Sequence, residues 1–232
     1  MSMVKLYKDT YVYHGSRGGI HGEIDLISRP YTDFGRGFYM GENIEQAASL
    51  VSSDSDAYIY SLNFKLGEID DSKILRLGSN REWAYFVLYN RGKLEDIKET
   101  AFYNFFENLG KGKDVIVGPI ADDTLSYMMK RFIKGEITEK VYIESIKAVN
   151  YGFQYVAKTK KACSCIEILG SRELYGDELN EAVKISQSRR EEGNKVAREI
   201  ENRYRRDGLY IDEVLKIAST KQKVEEFIYE QR

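Results

Sequence analysis

The spacing of apolar positions divides the chain into short strands and amphipathic helices. Residues 10–14 alternate β-branched or aromatic side chains with others and stop at Gly15, which predicts a short strand running into a turn. Ser28-Arg29-Pro30, Gly35 and Gly37 predict irregular chain from there to residue 37, before the brief apolar piece Phe38-Tyr39-Met40. Over residues 42–52, Ile44, Ala47, Ala48 and Val51 share one face at helical spacing, with Glu42 and Glu45 near the positive N-terminal end. Tyr58, Tyr60, Leu62 and Phe64 recur at period two and predict a strand over 57–64, with a weaker one over 73–77. Residues 81–89 read as a helix. The apolar run 114–120 has the character of a buried strand ended by Gly118-Pro119, and Asp122 or Asp123 is placed to cap a helix running to residue 134. A helix opened by Thr138 runs to about residue 150. Short strands over 153–157 and 164–169 then bracket a Lys-rich turn or helical connection.

The pattern changes after residue 172. Residues 176–206 are dense in charge of both signs, with a thin apolar series at Leu179, Val183, Val196, Ile200 and Tyr204. A second helical pattern covers 209–228, and Gly208 is the natural break. The expected organisation is an α+β domain over 1–172 followed by a charged helical extension over 173–232.

Composition narrows the function classes. A chain of 232 residues suits one core with an appendage, and 42% hydrophobic against 31% charged residues suffices for a packed interior. A net charge near −2 gives no global pull towards nucleic acid or membrane. Cys163 and Cys165 are one residue apart, awkward for a structural disulfide, and read as reduced core thiols. His14 and His21 lie far from them, so no metal site is expected. Residues 1–10 lack a signal-peptide core and no stretch of about 18 apolar residues occurs, so a cytoplasmic protein without membrane contact is expected. Eighteen tyrosines against two prolines point to an aromatic-rich core.

Three segments carry candidate chemistry: Tyr13-His14-Gly15-Ser16, Asp33-Phe34-Gly35-Arg36-Gly37-Phe38-Tyr39 and Phe153-Gln154-Tyr155-Val156. Each is ordinary alone. A strand-end His-Gly serves as a capping turn, and Gly35-Arg36-Gly37 lacks the strand-to-helix spacing of a phosphate-binding fingerprint. In this order they resemble the ADP-ribosyltransferase superfamily, whose His-Tyr-Glu branch carries a strand-end His-Gly, a Gly-x-Gly-aromatic-Tyr segment and a late strand-borne acid. Within it, the chain resembles an uncharacterised bacterial family marked by Tyr-His-Gly-Ser, Asp-Phe-Gly-Lys-Gly-Phe-Tyr, Glu-Gln-Ala and Gly-Pro-x-Ala-Asp-Asp. The matching residues are 13–16, 33–39, 45–47 and 118–123, and the likeness spans about 4–172.

The resemblance implies a split, mostly antiparallel sheet with flanking helices, NAD lying in the cleft as substrate, and a helical C-terminal extension. It implies that His14 hydrogen-bonds the adenosine-side ribose, that the Gly15 backbone pairs with the nicotinamide carboxamide, and that Tyr39 stacks on the nicotinamide ring. Ser16, Gly37 and Phe38 fall in the same cofactor-binding stretches, and Gly35 and Gly37 let the chain fold tightly against the dinucleotide. Gln154 stands where the superfamily has Glu. Glutamine holds a ribose hydroxyl but takes no proton, which favours mono-transfer over polymer growth. On that footing Gln154→Glu is expected to keep NAD binding and to keep or raise nicotinamide release. Asp122, Asp123 and Glu167 are candidate substitutes for the missing charge, with capping or solvated-surface roles favoured for each. Implied partners are a macromolecular acceptor, protein or nucleic acid, and an antitoxin protein, since relatives of this size act as toxins of toxin–antitoxin or phage-defence modules. The competing classes are an inactive NAD or ADP-ribose binding module and an interaction protein with no nucleotide site. In the extension, Arg189, Arg190, Arg198, Arg203, Arg205 and Arg206 alternate with Glu191, Glu192, Glu199 and Glu201, which predicts a solvated face laced by ion pairs.

Overall fold

A computed structural model describes residues 9–51, 56–120, 123–148 and 151–229. The elements run in the order β1 (Thr10–Arg17), β2 (Phe38–Gly41), α1 (Ile44–Val51), β3 (Ala57–Phe64), β4 (Ile74–Arg76), α2 (Arg81–Asn90), α3 (Ala101–Gly110), β5 (Val115–Pro119), α4 (Asp123–Ile133), α5 (Glu139–Ala148), β6 (Phe153–Ala157), α6 (Lys160–Cys163), β7 (Ile166–Leu174), α7 (Gly176–Tyr204), α8 (Ile211–Ile217) and α9 (Lys221–Tyr229). The fold is α+β.

The seven strands form one mixed, open sheet in the order β4-β5-β6-β2-β1-β3-β7. Only β4 and β5 run parallel; the other neighbours are antiparallel. Pairing is uneven. β1 matches β3 along its whole length, Thr10↔Phe64 to Arg17↔Ala57, and β2 matches β6 from Phe38↔Ala157 to Gly41↔Gln154. β1 and β2 themselves meet at one pair, Tyr13↔Gly41. The sheet is thus two well-laddered halves, β4-β5-β6-β2 and β1-β3-β7, hinged at a single point.

Alternation along the strands sends neighbouring side chains to opposite faces. On one face Val12, Phe38, Met40, Tyr60, Leu62 and Ala157 pack beneath the loop carrying Ile20, Ile24 and Leu26. On the other, Tyr39, Ile116 and Val156 pack against α2, α3, α4 and α5 through Trp83, Tyr85, Phe102, Phe106, Phe132 and Tyr142, while Tyr13, Ala57 and Ile59 pack against α1. Tyr85 is ringed by Phe102, Phe106, Phe132 and Phe227 at 5.1–6.0 Å between centroids, so phenylalanines build most of this aromatic core, whereas only Tyr60, Tyr85 and Tyr142 of the described tyrosines are buried and Tyr11, Tyr31, Tyr127, Tyr175, Tyr210 and Tyr229 are exposed.

Several boundaries differ from the sequence pattern. β1 continues three residues past His14, so His14 is mid-strand, opposite Tyr60. α3 had no predicted counterpart; Thr100 caps it by accepting from Tyr103 N–H at 3.2 Å. The 209–228 pattern is two helices, α8 and α9. The proposed caps at Asp122 and Asp123 lie outside the described residues or side chains. Ala197, Val214, Ala218, Val224, Phe227 and Ile228 of the C-terminal helices belong to the same core cluster as α2–α5. Charges in α7 also reach outwards from the helix: Glu201 takes a bidentate pair from Arg131 of α4 at 2.5 and 2.8 Å, and Arg189 meets Glu45 of α1 at 2.9 Å. No described helix is long and apolar enough to cross a membrane.

Candidate functional site

The single β1–β2 pair organises the site. Tyr13, Gly41, Gln154 and Gly118 are in register across β1, β2, β6 and β5 and therefore share one face of the sheet, as does Tyr39 two residues before Gly41. Gly41 is the gap in this row. A Cβ built on it would meet Ile120 Cδ1 at 3.9 Å and the Phe153 carbonyl at 4.0 Å, ordinary van der Waals distances, so the position between Tyr13 and Gln154 is free of a side chain but not crowded against its neighbours. At Gly118 a Cβ would stand 2.7 Å from the Phe34 ring, so that side of Gln154 is closed.

Gln154 is 7% exposed, and its amide is fully committed. Nε2 donates to Asp33 Oδ2 at 3.0 Å and to the Pro119 carbonyl at 3.1 Å. Both partners are acceptors, which fixes the amide orientation and leaves the carbonyl Oε1 outside these two bonds. Asp33 is itself buried and held by Arg91, whose Nε donates at 2.7 Å and Nη2 lies at 2.5 Å; Arg91 also reaches Ser126 Oγ. A carboxylate therefore sits one hydrogen bond behind Gln154. Asp33 was within the motif quoted from the sequence, but nothing in the pattern linked it to a residue 121 positions away.

Tyr39 is half-buried, with its hydroxyl hooked into the 32–35 turn. It accepts from Phe34 N–H at 2.9 Å and donates to Thr32 Oγ1 at 2.8 Å, while Thr32 Oγ1 donates to the Gly35 carbonyl at 2.6 Å. Burial pushes the phenol well above its ordinary range, so it stays neutral. The turn that holds Asp33 against Gln154 is thus the turn that Tyr39 fixes.

His14 points the other way. Its ring stacks on Phe38 at 4.2 Å on the opposite face, and Nδ1 donates to the Tyr39 carbonyl at 2.6 Å, bridging the two half-sheets where the ladder fails. The carbonyl can only accept, so Nδ1 carries the proton and Nε2 is the lone-pair nitrogen; burial lowers the pKa and favours this neutral form. The structure brings Tyr39 and Gln154 together and joins His14 to them only through backbone.

The remaining predicted positions have structural partners of their own. A Cβ at Gly15 would stand 2.3 Å from the Ala47 carbonyl, so glycine there lets α1 sit on β1. A Cβ at Gly37 would meet Val156 and the Ala157 carbonyl at 2.5 and 2.6 Å, so glycine there lets β2 approach β6. Gly35 adopts a left-handed φ of 73° in the turn. Phe38 is fully buried under His14, and Ser16 Oγ donates to the Gly19 carbonyl at 3.0 Å. Glu167, on β7, pairs with Lys65 at 3.2 Å and lies four strand spacings from β6, with β2, β1 and β3 between, roughly 19 Å away at ordinary strand spacing. It does not supply charge to Gln154. Cys163 and Cys165 are free and buried, with burial pushing the Cys163 thiol up to about 11.

Residues 10–168 match the family described as Protein of unknown function (DUF3990). The chain belongs to that family. The match runs from β1 to the start of β7, so it takes in β1–β6 and α1–α6, and most of β7 and α7–α9 follow it. No curated protein and no solved structure matches the chain.

Proposed function

We propose that this DUF3990 chain is a mono-ADP-ribosyltransferase that moves ADP-ribose from NAD to a macromolecular acceptor. The observation that carries the reading is the side-chain-free position Gly41, in register with Tyr13 and Gln154 and two residues after Tyr39, at the single backbone pair joining the half-sheets. A sheet that parts beside a side-chain-free position offers room for a flat ring and a ribose, and a mostly antiparallel sheet with a weak seam agrees with an ADP-ribosyltransferase-like split.

In the reaction the C–N bond between ribose and nicotinamide breaks, nicotinamide leaves with the electron pair, and the ribose carbon becomes oxocarbenium-like until an acceptor attacks it and sheds a proton to solvent. Gln154 Oε1 accepts a hydrogen bond from a ribose hydroxyl. Asp33 acts as a positioning residue: it holds the amide with its carbonyl available and places a fixed negative charge behind the developing positive one. Tyr39 gives its ring face to nicotinamide, and His14 acts from the opposite face of the sheet as a positioning residue, tying β1 to the Tyr39 carbonyl. Gln154 Oε1 takes no proton from an acceptor at neutral pH, which favours single transfer.

The second reading, a binding module for NAD or ADP-ribose, is favoured by the same amide, since Gln154 has no basic atom. Calorimetry with NAD beside an assay of released nicotinamide separates the two, because both require binding and only the enzyme requires release. Loss of both would remove the nucleotide site altogether. A cytoplasmic toxin paired with an antitoxin is the cellular role this proposal carries.

A further inference from the structure

A second cavity lies behind the 32–35 turn. It measures about 390 Å³, and its inner wall is formed by Phe34, Phe86 and Ile116, with Tyr89 also lining it. Its polar lining is Lys158, Lys111 and Asn90, opposed by a single acid, Glu107. Lys158 follows β6 and is tied there by its backbone N–H, which donates to the Asp114 carbonyl at 2.8 Å. Its ammonium donates to the Phe34 carbonyl, the one hydrogen-bond partner it has among the described residues, and no described carboxylate lies within ion-pair distance. An ammonium carries three donors, so two are unspent inside an apolar-walled cavity. Such a cation attracts an anion strongly, since removing it from water without a counter-charge is costly.

We propose that this cavity binds a small aromatic carboxylate, its anionic end on Lys158 and its ring against Tyr89. Size and shape favour a flat ring over a bare inorganic anion, because about half the lining is aromatic or aliphatic and the volume is that of a small-molecule pocket. Burial alone depresses Lys158 to about 8. The other titratable groups around it are Lys111, Glu107, Tyr89, which burial pushes up to about 12, and Asp114, whose carboxylate accepts from Thr159 Oγ1 at 3.0 Å. Binding of an anion requires the ammonium form, so affinity is full below about pH 7 and falls as pH rises through 8. With that midpoint the protonated fraction, and hence the affinity, is about tenfold lower at pH 9 than at pH 7. The site is independent of NAD, yet it touches the same turn that fixes Tyr39 and Asp33.

Titration of the full chain with benzoate by calorimetry tests this, with benzyl alcohol and inorganic phosphate as separate arms. One benzoate site is expected, about tenfold weaker at pH 9 than at pH 7, at least tenfold weaker in Lys158→Met, retained in Lys158→Arg and strengthened in Glu107→Gln. Neither benzyl alcohol nor phosphate should compete. Absence of a benzoate site, a flat pH profile in the wild type, or unchanged affinity in a folded Lys158→Met overturns the proposal. Phosphate binding as tightly as benzoate overturns the aromatic part. The wild-type pH profile decides the matter even if Lys158→Met fails to fold.

Discussion

Replacing Gln154 by the acid that the ADP-ribosyltransferase resemblance expects is the most revealing perturbation of the site. In the wild type both amide hydrogens go to acceptors, Asp33 Oδ2 at 3.0 Å and the Pro119 carbonyl at 3.1 Å. Gln154→Glu sets an oxygen against each. Two full charges about 3 Å apart repel by about 5 kcal/mol at an effective dielectric of about 20. Protonating the introduced carboxyl is the less costly escape: at pH 7 it costs about 1.4 kcal/mol for each of the roughly 2.7 units above the ordinary Glu value, or about 4 kcal/mol. The folded variant therefore retains a proton that its unfolded chain has lost, its folded pKa being raised. Its stability is greatest below about pH 4.3 and is lost as pH rises towards the folded pKa. Urea denaturation should place Gln154→Glu about 4 kcal/mol below wild type at pH 7 and about 1 kcal/mol below it at pH 5. Equal stability of the two proteins at pH 7, or a deficit that does not shrink in acid, would refute the Asp33–Gln154–Pro119 arrangement.

Two further substitutions probe the surroundings. Tyr39→Phe removes the acceptor for Phe34 N–H and should cost about 1–3 kcal/mol in urea denaturation, loosening the 32–35 turn; no loss would mean that the hydroxyl network is not formed. Phe227→Ala, in α9 against Tyr85 and Phe102, should cost about 3–5 kcal/mol and shift one cooperative transition, whereas a separate early transition would mean that the C-terminal helices do not share the core.

Much of the architecture was legible because burial imposes periodicity. Tyr58, Tyr60, Leu62 and Phe64 marked β3 to the residue, and the apolar run before Gly118-Pro119 marked β5 within a residue at each end. α3 carried readable signals too, a Thr100 cap and Phe102, Phe105, Phe106 and Leu109 at helical spacing. The end of β1 was not legible: Gly15 reads locally as a turn, and only the long-range approach of Ala47 explains a glycine inside a strand. The site divided the same way. Tyr39 and Gln154 were singled out from motif order, whereas Asp33 and Arg91 as the supports of Gln154, and the turning of His14 to the other face, depend on strand order and register that no local pattern encodes.

Gly41→Val gives the most direct test of the proposed NAD site, because it puts a side chain between Tyr13 and Gln154 while its Cβ meets Ile120 and the Phe153 carbonyl at ordinary van der Waals distances. The nearest atom to the new Cβ is 3.9 Å away and the strand backbone there needs no glycine conformation, so melting temperature should hold or rise slightly. Wild type should release nicotinamide from NAD, and Gly41→Val should release at least tenfold less while remaining as stable. Release at the wild-type rate from Gly41→Val, or no release and no NAD binding by wild type, would contradict a catalytic cleft at this seam.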